Sequence, residues 1–302
     1  MSTVEAPPLP DGAAPALGEV ARRRLVRPWL RMLRSELGLI FRRWRNLLLL
    51  AVLVGIPVLL GIALRVSVPR GGNGNGGGLG SAFLFQVAGN GVFLAFLTLT
   101  IMLTLVLPLV VAVVAGDSLA GEASTGTLRY LLAVPAGRSR LLSVKYAAIV
   151  VFSLVACLLA AASALIMGVA LFPVGPVTLL SGTTVPLAEG LLRLVFVVLY
   201  VSAAMAMLGA IGLAISSLTE HPIAAIAAIM IITVASEVAD NVPQFAAVQP
   251  YLPTHWWLAF DSLLRAPIDT TELTHGLFSF GVYIVIFCSI AWAKFSNSDI
   301  TS

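Results

Sequence analysis

Residues 116–145 read GDSLAGEASTGTLRYLLAVPAGRSRLLSVK. Asp117, Glu122, Arg129, Arg138, Arg140 and Lys145 fall in this stretch, between flanking runs that are almost uncharged. A polar interval between two apolar runs is commonly a plain loop, but this one carries its own punctuation. Gly121-Glu122-Ala123-Ser124-Thr125-Gly126-Thr127 reads as a turn with helix-start chemistry. Leu128, Leu131 and Leu132 then repeat at i, i+3 and i+4, the spacing of one face of a short helix. Pro135 and Gly137 end it, and basic residues follow. The stretch is expected to dock a cytoplasmic partner.

The rest of the chain gives that expectation its setting. Of 302 residues, 59% are hydrophobic and 11% charged, and the mean hydropathy is +1.01. Soluble domains carry about 25% charged residues, so this is an integral membrane protein. The pI near 9.4 reflects arginines crowded beside the first apolar run, not a nucleic-acid surface. Cys157 and Cys288 lie inside apolar runs and are expected to pack as small apolar residues. The chain has two lysines, Lys145 and Lys294, and neither follows a glycine-rich turn. The run GGNGNGGG at 71–78 is therefore a linker and not a phosphate-binding loop, which needs a lysine after its glycines. Any ATP must be handled by another subunit, and no metal-ligand spacing or nucleophile elbow appears.

In chain order, residues 1–20 read as a disordered tail rich in Ala, Pro and Gly. Residues 21–45 carry nine arginines against Glu36, with Trp29, Leu33, Leu37, Ile40 and Trp44 on one helical face, widened by Leu30 and Phe41. A basic helix with such a face lies in the membrane interface, where anionic lipid attracts it. A six-span membrane domain is expected over 46–294. Its spans fall near 46–64 (with Gly55 and Pro57 at its middle), 91–115 (with Pro108 near its inner end), 141–171, 191–218, 223–238 and 276–293. The polar loop occupies 117–140, an external segment 241–275, and a tail 295–302. Proposed inner segments hold fourteen of the basic residues and outer segments four: Arg65, Arg70, Arg193 and Arg265. That bias places both termini in the cytoplasm of a plasma (inner) membrane protein. The external segment, with Phe245, Tyr251, Trp256, Trp257 and Phe260, is too short and broken to cross. It reads either as a re-entrant hairpin before the sixth span or as a surface helix beginning after Leu252-Pro253-Thr254.

Few residues offer chemistry. His221 falls inside and His255 and His275 outside, so the three cannot share a site. Glu237 and Asp240 share one helix face at the outer end of the fifth span, where an acid can mark a substrate path. Glu189 with Arg193, and Asp261 with Arg265, have the i, i+4 spacing of simple pairs.

Taken together, Gly121-Glu122, Thr125-Gly126-Thr127-Leu128, Leu131-Leu132-Ala133-Val134-Pro135, Arg138-Ser139-Arg140 and Lys145 resemble the coupling-helix signature of ABC-2 type transporter permeases. The basic helix before the first span, Ile215-Ser216-Ser217-Leu218-Thr219 between the fourth and fifth, the broken stretch before the sixth, and Phe295 with Asp299-Ile300 resemble other parts of that family. Ser296 and Asn297 depart from it, standing where basic residues are common. The resemblance covers roughly residues 22–300. It implies an all-α integral membrane protein with six transmembrane helices, an N-terminal amphipathic interfacial helix, a cytoplasmic coupling helix and an external re-entrant hairpin. It also implies the membrane subunit of an exporter with no ATPase site of its own. Glu122, Gly126, Thr127, Leu128, Arg129, Leu131, Leu132 and Pro135 would dock a cytosolic ABC ATPase, present in two copies, which binds the ATP and Mg. The other partners implied are a second permease copy or sister permease and membrane lipid, with no nucleic acid.

By the same resemblance the second and fifth spans line the path, with Thr98, Met102, Met230, Thr233 and Glu237 as its candidate residues. Such walls suit an apolar or amphipathic substrate, a drug or lipid, better than a sugar chain. The rival readings are a permease-like regulatory subunit coupling ATPase motion to another protein, a carrier working without ATP, and a membrane enzyme. The spans offer almost no convergent polar residues for the last.

Overall fold

The computed structural model describes residues 29–67, 90–126, 138–179 and 181–297. The described chain is mostly helical, and six of its helices are long and apolar enough to cross a membrane. Helix α1 covers residues 29–42. It is followed by α2 (Trp44–Ser67), α3 (Phe93–Thr104), α4 (Val106–Ser124) and α5 (Arg138–Leu171). A two-stranded hairpin, β1 (Val177–Thr178) with β2 (Thr184–Val185), leads into α6 (Leu187–Leu218) and α7 (Pro222–Asp240). Three 3₁₀ segments, the longest His255–Leu264, precede α8 (Thr270–Asn297). The hairpin was not anticipated from the sequence. It closes on Gly182 at φ 80°.

Helix α6 is the axis of the bundle. It packs on α4, α5 and α8, and Tyr200, Met205, Met207, Leu208 and Ile211 are buried along it. A helix buried over most of its surface belongs at the centre, and only Leu192, Val195, Phe196, Leu199 and Leu218 among its large apolar residues are exposed. The outward faces of α2, α7 and α8 are apolar, with Leu59, Ile223, Ile231, Phe278 and Val285 at 66–83% exposure. A water-facing surface would not be built this way. Because lipid tails are as apolar as leucine, packing and interhelical hydrogen bonds hold such helices together. Close approach is visible where α3 begins. A Cβ built at Gly91 or Gly168 would overlap the carbonyl of the other, so backbone meets backbone there. Asn90 is tied into the same corner, donating to Gly175 O at 2.8 Å and Pro176 O at 2.9 Å.

The second span departs from expectation. It is two helices broken at Leu105, whose φ is −142° and ψ −46°, and it runs on to Ser124. Pro108 explains the break. It has no N–H for the carbonyl of Thr104, and its ring clashes with that carbonyl. Pro108 therefore lies mid-span, not near an inner end. In α2, by contrast, the helix continues through Pro57.

The basic N-terminal helix also ends earlier than its face predicted. Arg43 interrupts it, so Trp44 begins α2 and is 72% exposed. Leu33, Leu37 and Ile40 are half-buried, while Leu30 is exposed. Trp29 donates to Ser143 Oγ at 3.1 Å, pinning α1 to the start of α5. The tail expected at 1–20 lies outside the described residues; of the tail expected at 295–302, residues 295–297 belong to α8 and the rest lie outside the described residues.

The stretch between α7 and α8 folds back onto the bundle. Helix α6 has 32 residues and α7 has 19, so α7 stops thirteen residues short, about 20 Å at 1.5 Å per residue. The 3₁₀ segment occupies that space, burying Trp257, Phe260, Leu263 and Leu264. Tyr200 donates to Trp256 O at 2.7 Å. Arg193, 8% exposed, donates to Leu263 O at 2.6 Å, to Arg265 O at 3.1 Å and to Glu189. The Glu189–Arg193 pair was legible from spacing, but the reach of Arg193 to the far segment was not.

Beside this clamp, burial raises the Asp261 carboxyl above the usual range, Arg265 opposes that, and Glu272 adds to it. A raised acid binds its proton more tightly folded than unfolded. Its contribution is therefore complete below the unfolded value and lost as pH rises through the folded one. Asp261→Asn, which removes this charge, is expected to raise the thermal midpoint at pH 7 and to narrow the gap between midpoints at pH 5 and pH 7. Calorimetry of both proteins in the same detergent checks it. An unchanged gap would show that Asp261 has no part in it.

Candidate functional site

At the opposite end of α6, four elements meet around α4. The segment Gly121–Ser124, expected as a turn, is the last turn of α4. Gly126 ends the helix at φ 69°, donating to Ala123 O at 3.0 Å. The Ser124 and Thr125 hydroxyls donate back to Gly121 O at 3.0 and 3.1 Å. The same Ser, Thr and Gly that signal a helix start can finish one. A hydroxyl can bond a carbonyl one turn back, and glycine takes the left-handed conformation at little cost. The polar loop therefore begins at Thr125 rather than at Asp117.

Three acids and three bases surround this helix end. Asp117 pairs with Arg43, and with Arg45 at 2.9 Å. Glu122 accepts from Lys145 Nζ at 2.6 Å, and Glu36 lies 3.6 Å from the same nitrogen. Lys145 was counted from sequence as an inner-loop charge. It is instead 3% exposed, two turns into α5. A carboxylate near a helix C-terminus meets the negative end of the dipole, so Glu122 depends on that ammonium. A cavity of about 40 Å³ lies among Glu36, Arg43, Asn46, Asp117, Glu122 and Lys145. Asn46 is 2% exposed, and its Oδ1 has no partner among the described residues. The space and its polar lining suit a bound water.

Ser216, near the end of α6, adds a further tie. Its hydroxyl donates to Gly116 O at 2.8 Å and accepts from the N–H groups of Leu119 and Ala120 at 3.1 and 2.9 Å. One buried side chain thus grips the backbone of α4 one turn before Glu122. Ser216→Ala is expected to cost about 1–3 kcal/mol, the usual penalty for stranding buried polar groups. It should also speed amide exchange at Leu119 and Ala120. Unchanged exchange at both would show that the hydroxyl adds nothing.

The ion-pair cluster thus joins α1, α2, α4 and α5, and Ser216 adds α6. Of the expected docking residues, Glu122 belongs to it, and Gly126 ends α4 one turn further on. Thr127, Leu128, Arg129, Leu131, Leu132 and Pro135 lie outside the described residues. The expected path residues are dispersed. Thr98, Met102 and Thr233 are buried at 0%, 0% and 2% exposure. Thr233 bonds Ile229 O at 2.9 Å, Met230 is half-buried, and Glu237 lines a separate cavity at the other end. Sequence reasoning missed Ser216 and the partners of Asp117. Ser216 sat in a motif quoted only for likeness, and nothing local reveals a contact about 100 residues away.

No curated protein matches the chain. One family model, described as "Protein of unknown function (DUF2705)", matches residues 48–301, which take in nearly all of the six spans, and the chain belongs to that family.

Proposed function

We propose that this chain is the permease subunit of an ATP-driven exporter of the ABC-2 type. A cytosolic ATPase would dock on the loop between α4 and α5. The observation that carries the reading is the Glu122–Lys145 pair. It fastens the two helices that flank the loop to each other, and through Glu36 to the basic helix α1. A push on the loop would reach both spans together, because neither can move without breaking a buried ion pair. Both termini and this loop would then be cytoplasmic at the plasma membrane, with α1 in the inner interface and a second permease completing the path. The 3₁₀ segment would be the re-entrant external element. Its seat beside the outer third of α6 supports insertion over a surface position. The cargo would be apolar or amphipathic and move outward.

Crosslinking in native membranes, followed by mild solubilisation and mass spectrometry, tests the docking. An ATPase subunit should be recovered with the wild type and lost with Arg129→Glu or Leu131→Asp. Both changes fall in the sequence between α4 and α5 and leave the six charges of the ion-pair cluster unaltered, so folding should survive. If no ATPase comes down with the wild type, the exporter reading fails.

A further inference from the structure

The far end of the bundle holds a second cavity, of about 30 Å³. It sits where the broken second span, the last turn of α7 and the start of the 3₁₀ helix meet. Glu237 and Asp240 enter it from one face of α7, three residues apart. Asp240 has a partner, His255, whose Nδ1 lies 2.5 Å from its Oδ1. Among the described residues no lysine or arginine lines the cavity beside Glu237. Its polar neighbour is the Thr254 hydroxyl, which Ser236 shares at 2.7 Å. Thr104 also lines the cavity, and its carbonyl is the one that Pro108 cannot satisfy. The site is therefore rich in acceptors and short of positive charge.

Acidic residues alone would not make this a binding site. The independent observation is Trp257. It lines the same cavity, is 2% exposed, and its Nε1–H finds no acceptor among the described residues. A buried donor left unmet is unfavourable, so the cavity lacks an oxygen as well as a cation. No three carboxylate, imidazole or thiol groups among the described residues are placed to hold a metal ion. Leu103 and Leu258 complete the lining with apolar wall. The missing groups describe an organic ligand.

We propose that this cavity binds an amphipathic amine with an oxygen beside its ammonium. The ammonium would pair with Glu237, the oxygen would accept from Trp257 Nε1, and the chain would lie along Leu103 and Leu258. This names a substrate class for the exporter reading and rests on that reading only for the transport step after binding.

Titration calorimetry of the purified chain in uncharged detergent tests it without any ATPase. N-octylethanolamine should bind at one saturable site per chain, octylamine roughly tenfold more weakly, and octanol only as it partitions into empty micelles. Charge-assisted hydrogen bonds contribute about 1.5–3 kcal/mol, so Glu237→Gln should weaken both amines at least about tenfold. Trp257→Phe should abolish the preference for the hydroxylated amine while leaving amine binding. The proposal is overturned by binding no better than to empty micelles, by wild-type affinity in Glu237→Gln (a protonated, idle carboxyl), or by a preference that survives in Trp257→Phe. Should Trp257→Phe not fold, the Glu237→Gln comparison decides alone. Failure here leaves the docking test untouched, and failed docking with intact amine binding would remove only the exporter reading.

Discussion

Lys145→Met is expected to be among the most damaging single changes in this protein. The ammonium is 3% exposed and lies between Glu122 at 2.6 Å and Glu36 at 3.6 Å. Methionine fills much of the same space, so the packing loss is small and the electrostatic loss dominates. Removing one member of a buried pair typically costs about 3–5 kcal/mol, because the remaining charge is stranded. Here two carboxylates lose the ammonium they share. Their side chains are 18% and 16% exposed, so water relieves part of the cost and the lower end of the range applies. Thermal unfolding in mild detergent should show the loss. Adding Glu122→Gln to Lys145→Met should recover most of it. A double variant as unstable as the single one would show that Lys145 acts through packing, and the ion-pair account of the site would fail.

That test bears on the proposed function through the geometry of force. Loops transmit a push only if their anchors are stiff. The anchors of 125–137 are the end of α4, gripped by Ser216 and Asp117, and the start of α5, held by Lys145 and by Trp29 on Ser143. Trp292 adds α8 by donating to Ser139 Oγ at 3.1 Å. Nearly every long element therefore has a bond within a few residues of the loop.

Much of this was legible in the sequence, and the limits have physical causes. The six spans follow from hydropathy, because a bilayer demands long apolar helices. The i, i+4 pair Glu189–Arg193 follows from helix period. What escaped was everything set by contact between distant residues. Pro108 was visible, but its effect depends on where in the span it falls, and the span was ended nine residues too soon, at Ala115 instead of Ser124. That error came from reading Asp117 and Glu122 as loop charges. A charge inside a membrane helix is legible only once its partner is known, and Arg43 and Lys145 lie 74 and 23 residues away. Likewise His255 looked like part of an aromatic belt until the fold brought it to Asp240.

Arg193→Lys should prove nearly as harmful as Arg193→Met, though it keeps the charge. The guanidinium reaches three partners at once: the Glu189 carboxylate at 2.7 Å, Leu263 O at 2.6 Å and Arg265 O at 3.1 Å. The two carbonyls belong to the end of the 3₁₀ helix, whose last groups have no partners within it. A flat fork with five donors can serve all three partners, whereas a point-like ammonium cannot. Hydrogen bonds from a charged donor contribute about 1.5–3 kcal/mol each, so losing both carbonyl contacts should cost about 3 kcal/mol or more. The cost should appear first as local release of the segment 241–269, because Tyr200 and Asp240 hold only its other end. Limited proteolysis should then cut this segment in both variants under conditions that leave the wild type whole. Glu189→Gln is the control. Its partner carboxylate is 43% exposed, and exposed pairs contribute about 0–1 kcal/mol, so the segment should stay protected. If Arg193→Lys is as resistant as the wild type, the clamp is a charge effect and not a matter of shape. The seat of the 3₁₀ segment, and with it the wall of the Glu237 cavity, would then rest on the charge at position 193 together with Tyr200, the Asp240–His255 contact, the Ser181 hydroxyl on Ala266 and the buried aromatic face.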